Sequence, residues 1–122
     1  MTILSEQRQA GAFLASEAEG SRSRENGTLA SGDLPAGAVL ALNGDDDYVQ
    51  VAPDATDGTE TAVAVLYAAV DASEAAADCV VIARDAEVNQ DELVWPDGAS
   101  EAQIDTGLDQ LRAANIIPRS GL

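Results

Sequence analysis

The chain has 122 residues, 46 percent of them apolar but only 3 percent aromatic, which suits one small domain burying about 60 to 70 percent of its unfolded surface. Twenty-two acids stand against six arginines, with no Lys and no His, for a formal net charge of -16. That charge repels phosphate backbones and anionic membranes, making nucleic acid and lipid poor partners, and the lack of His removes the commonest general base and metal ligand.

Residues 1 to 25 differ in character from the rest. They are rich in Ser, Glu, Gln, Gly and Arg around one apolar patch, Ala12-Phe13-Leu14-Ala15, and read as a flexible arm. Glu6, Glu17, Glu19 and Glu25 against Arg8, Arg22 and Arg24 give the arm a side-chain sum of -1, leaving -15 on residues 26 to 122. A near-neutral arm and a strongly acidic body are expected to face different surroundings. Met1 to Ala10 lacks a basic start followed by a long apolar stretch. No apolar run approaches the roughly 18 residues of a membrane span, so the expectation is a protein made and used in a cytoplasm.

In the body, turn chemistry separates short strands. Leu34-Pro35-Ala36-Gly37 is a turn before a strand at residues 38–42, and Asn43-Gly44 with Asp45 to Asp47 is a hairpin loop leading into Tyr48-Val49-Gln50-Val51. Asp57-Gly58 precedes Thr61 to Val70, which is apolar enough to predict a central strand buried on both faces. Asp71 to Asp78 reads as a loop or a single helical turn, Cys79 to Arg84 as another buried strand, and Leu93-Val94-Trp95-Pro96 as the end of a further short one. Ser100 and Gln103 have capping-box spacing, and Ile104, Leu108 and Leu111 follow on one helical face. Asn115 suits a left-handed terminator and Pro118 bars continuation. The expected fold is α+β: a small β-rich domain over residues 26 to 122 with one C-terminal helix, preceded by the arm.

Chemistry is not visibly organised. Cys79, the lone cysteine, sits in an apolar run with Asp78 as its neighbour, as expected of a buried small hydrophobe and not of a reactive thiol. Asp54 to Gly58 resembles the start of a calcium loop, but the position that should close the loop with an acid is Val65. Asn26-Gly27-Thr28 is a glycosylation sequon that has no meaning without secretion. No catalytic residue, metal or cofactor is expected.

The ordered set Ser21-Arg22-Ser23-Arg24-Glu25, Gly27-Thr28-Leu29, residues 34–40, Ala62 to Val70, Arg84 to Val88, Leu93-Val94-Trp95-Pro96-Asp97-Gly98-Ala99 and Ile116-Ile117-Pro118-Arg119 resembles the head decoration proteins of lambda-type phages across nearly the whole chain. The resemblance implies a homotrimer that docks at three-fold positions of the expanded capsid. There it resists the pressure of packaged DNA, with an arm that orders against the major capsid protein by adding a strand. Carried over, that strand is Ala12, Phe13, Leu14, Ala15 and Ser16. Trp95 and Pro96 are expected in core or trimer packing, and Arg22 and Arg24 either pair with acidic capsid groups or stay solvated. The arm differs in length and composition from that of the lambda protein. A different virion or fibre module, self-associating without coating a capsid, is the alternative.

Overall fold

Apolar segments of three to six residues, punctuated by Gly, Pro and Asp, are too short for stable helices and instead pair as strands. A computed structural model describes residues 10–121. Its strands in chain order are β1 (Leu14–Glu17), β2 (Arg24–Leu29), β3 (Gly32–Leu34), β4 (Val39–Leu42), β5 (Tyr48–Gln50), β6 (Ala64–Leu66), β7 (Val70–Ala72), β8 (Ala77–Ile82), β9 (Ala86–Asn89) and β10 (Ile116–Arg119). Among the described residues, a single 3-10 turn, Gln90–Glu92, and one α-helix, α1 (Glu101–Ala113), lie between β9 and β10. The result is the expected β-rich α+β domain with one helix near the C-terminus.

Five strands close a barrel in the order β2-β5-β4-β6-β8, while β1-β9-β10 form a separate sheet and β3 pairs with β7. Closure leaves the barrel without free edges. In the small sheet β9 is central, antiparallel to β1 through a register shift between Leu14 and Ser16, and parallel to β10. β1 is therefore an edge strand.

Period-two alternation sends barrel side chains into two cores. Leu40, Ala64, Leu66, Cys79 and Val81 join Leu29 and Tyr48 in one. Val39, Ala41, Val65 and Ile82 point the other way, onto Phe13, Val88, Leu108, Leu111 and Ile116. Strands sandwiched in this way must be apolar on both faces, which explains the continuous Ala-Val-Leu runs. Their small side chains follow from the tight spacing: a Cβ on Gly27 of β2 would stand 2.6 Å from Cε2 of Tyr48. Burial pushes the Cys79 thiol pKa up, with Asp78 and Asp47 adding to the effect, so it is an inert core group.

The helix begins as its sequence requires. Ser100 Oγ accepts from the Gln103 amide at 3.1 Å, and Gln103 Oε1 accepts from the Ser100 amide at 3.0 Å. Its end follows too, with Asn115 at φ 63°.

Several expectations change. The single strand expected over Thr61 to Val70 is two strands, β6 and β7, in different sheets, because the chain bends at Tyr67 and Ala68 to leave the barrel. Leu93 to Trp95 supplies only a bridge from Val94 to Ala38. Residues 116–119, expected only to lie beyond the helix, form a strand. Residues 1–9 lie outside the described residues, but the remainder of the expected arm belongs to the folded body. Residues 10–25 form a turn, β1, a second turn and the start of β2. The physical reason is Phe13: the only Phe in the chain finds an apolar site within its own molecule, where burial needs no partner.

Candidate functional site

The N-terminal segment is fastened at three levels. Gly11, at φ 71°, donates its amide to the Tyr67 carbonyl at 2.8 Å. Phe13 is then 1 percent exposed, and its carbonyl accepts from the Asn89 amide at 2.7 Å. Beyond β1, the buried Ser23 hydroxyl accepts from the Ala18 amide at 2.9 Å and donates to the Asp85 carbonyl at 2.8 Å. Of the five residues expected to contact a capsid, Ala12, Ala15 and Ser16 are exposed. Phe13 is core and Leu14 packs against it.

Around this segment lies a dense set of ion pairs. Arg24 grips Glu17 with two hydrogen bonds of 2.6 and 3.0 Å and stacks over Tyr67, 4.2 Å from the ring centroid. Arg22 stands 3.4 Å from Asp85, whose other oxygen accepts from Asn115 Nδ2 at 2.5 Å. Arg84 pairs with Glu25 and donates to the Arg22 carbonyl, while Arg119 donates to Glu87 at 2.7 Å. The Arg24 hydrogen bonds hold the Glu17 pKa below the ordinary carboxylate value, and those of Arg119 do the same for Glu87.

These depressed values set a pH dependence. A carboxyl whose folded pKa is lowered stabilises the fold above its unfolded value and loses that contribution as pH falls through the folded one. Glu17 and Glu87 thus contribute at neutral pH and lose that contribution below the usual glutamate range. The Arg119–Glu87 pair is exposed and the Arg24–Glu17 pair only partly buried, so the effect is small. An NMR titration of Glu87 should give a midpoint below the model-peptide value that returns toward it in R119Q; an unperturbed midpoint in the parent protein contradicts the pairing.

A groove of about 300 Å³ opens among these pairs, lined by Glu17, Arg22, Asp85, Glu87 and Ile117 among others. A second, about 240 Å³, lies between α1 and the segment near Val51 and Pro53. Trp95 lines it, half-buried, with its ring against Gly107 of α1 and the rest packed on the barrel-helix core. Pro96 is partly exposed beside it. In the first groove the Ser16 hydroxyl bonds the Glu87 carboxylate, which Arg119 also holds. Among the described residues no group of three or more potential ligands could hold a metal. Asp54 and Asp57 are occupied in local contacts, accepting from Gln103 and from Thr59.

Fold and surface together define a small, strongly acidic barrel domain whose notable surface chemistry is ion pairing, not a converged reactive site. The chain belongs to the family of bacteriophage lambda head decoration protein D, which it matches over residues 3–116. It is accordingly a structural protein of the phage head with a capsid decoration role, and its place is the virion. No curated protein matches it.

Proposed function

We propose that the chain binds as a homotrimer to the outer surface of the expanded capsid, contacts the major capsid protein, and stabilises the shell against internal DNA pressure. It acts without catalysis, cofactor, nucleic acid or membrane contact, and assembly takes place in the host cytoplasm. The family match along nearly the whole chain carries this reading. The physical case is multivalency. Ordering an arm costs about 1 to 2 kcal/mol of backbone entropy per residue, so one arm is a weak ligand, whereas three on one rigid trimer reach high effective concentration where the lattice offers three sites together.

With Phe13 committed to the core, its burial is not available to the capsid. Contact then falls to residues 1–9, together with Ala12 in the turn before β1 and Ala15 and Ser16 along that edge strand, where a partner strand can add by main-chain pairing. Pro96 and the open rim of Trp95 are the proposed trimer contacts.

The test is binding of purified protein, full-length or lacking residues 1–9, to expanded empty shells of its own phage, followed by heating of the decorated shells. A longer deletion removes Phe13 and confounds folding with binding. Saturable binding that weakens at least about tenfold without residues 1–9, and decorated shells that disrupt at higher temperature, are the expected results. Failure of the full-length protein to bind would favour a self-associating virion module.

A further inference from the structure

We infer that the arginine-tipped surface around Arg22 and Arg119 is the face that docks, and that it receives carboxylate side chains of the capsid protein; this rests on the proposed decoration role. The first observation is where the positive charge lies. All the described arginines except Arg112 belong to the network joining β1, β2, β9, β10 and the turns beside them. Elsewhere the surface is studded with exposed acids such as Asp45, Asp46, Asp57, Asp71, Glu74 and Asp78, with only Arg112, paired to Asp109, among them. A protein this acidic meets repulsion from an acidic partner on every other side, and like-charge juxtaposition is strongly unfavourable at an interface.

The second observation is the arrangement within the pairs. Arg22 is 69 percent exposed against 35 percent for Asp85, and Arg119 is 55 percent exposed against 40 percent for Glu87. In both pairs the cation projects and the carboxylate is recessed, so an approaching surface meets guanidinium groups first. Arg24 is unavailable, held by Glu17 and Tyr67. Among the described residues, the side chain of Arg22 makes a single long contact at 3.4 Å and that of Arg119 a single hydrogen bond, which engages few of the five N–H donors each carries.

The third observation is shape. The 300 Å³ groove between these pairs is lined by Arg22 and Ile117 and by Glu17, Asp85 and Glu87, each of the three acids held by an arginine. A partner Asp or Glu therefore meets the projecting Arg22 guanidinium at the mouth of the groove and does not enter among its carboxylates. The same surface adjoins β1, so strand addition and charge pairing occur on one side of the molecule. The carboxylate-covered remainder then faces solvent.

The experiment titrates full-length protein and the variants R22E, R119E and R112E onto expanded empty shells, counting bound copies after sedimentation. Each variant adds the same charge, so long-range repulsion is matched and only location differs. R22E and R119E should each bind at least about fivefold more weakly, and R112E within about twofold of the parent. R22Q and R119Q, folded by circular dichroism, should show a smaller loss in the same direction. Parent-like affinity of folded R22E and R119E overturns the docking face while leaving the decoration role standing, as does a larger loss in R112E. A parent protein that does not bind at all overturns both.

Discussion

Replacing Phe13 by Ala is expected to destabilise the protein by about 3 to 5 kcal/mol, the range for truncating a buried aromatic. Phe13 is 1 percent exposed and belongs to the core shared by Val65, Ile82, Val88, Leu111 and Ile116. Its loss opens a cavity where the barrel, the small sheet and the helix meet, and the strands around it are held by ladders that resist collapse. Domains of this size have only about 5 to 15 kcal/mol in total, so the melting temperature should drop by roughly 10 °C or more. Thermal unfolding by circular dichroism checks this. The result separates two pictures of the N-terminal segment. A free arm predicts no change in stability and an effect on capsid binding alone. A segment belonging to the body predicts the large loss, with a binding defect only to the extent that the fold fails.

Gly107 to Ala should also destabilise, against the usual rule for helices. An alanine in mid-helix is favoured over glycine by about 1 kcal/mol, so on propensity alone the substitution is stabilising. Here the added Cβ would stand 2.6 Å from Cη2 of Trp95 and closer still to Cζ3. The indole is rigid and its other side lies on the core, so either the ring or the helix must move. Overpacking of this kind costs about 1 to 3 kcal/mol, enough to reverse the propensity gain. Trp95 is the only Trp, and its fluorescence reports the displacement directly. In the W95A background the same substitution should be neutral or stabilising, since the contact is gone and the pair is coupled. A stability gain from Gly107 to Ala in the parent would show that Trp95 does not rest on the helix.

The helix was legible from residue types because its signals are local. Ser100 and Gln103 cap each other across three residues, and Leu108 and Leu111 face the core at helical spacing. The turn at Leu34 to Gly37 and the loop at Asn43 to Asp47 were legible for the same reason: Asn43 Oδ1 accepts from the amides of Asp45 and Asp47, a bond between near neighbours. The division of Thr61 to Val70 was not legible. Ala, Val and Leu suit a strand buried on both faces equally well whether it continues or bends, and the choice is made by β4 and β8, which lie far away in sequence.

For the functional surface the division is similar. Composition and order of motifs alone determined the acidic character, the absence of His chemistry, the α+β class and the likeness to head decoration proteins. Only the tertiary structure decided that Phe13 lies in the core, that Arg24 is occupied by Glu17 and Tyr67, and that Arg22 and Arg119 share one face. Glu87 and Arg119 are 32 positions apart in the chain, and Ser23 reaches Asp85 across 62. Strand pairing brings them together through backbone hydrogen bonds that are the same for every residue type, so the side chains themselves carry little record of which partner the fold will give them.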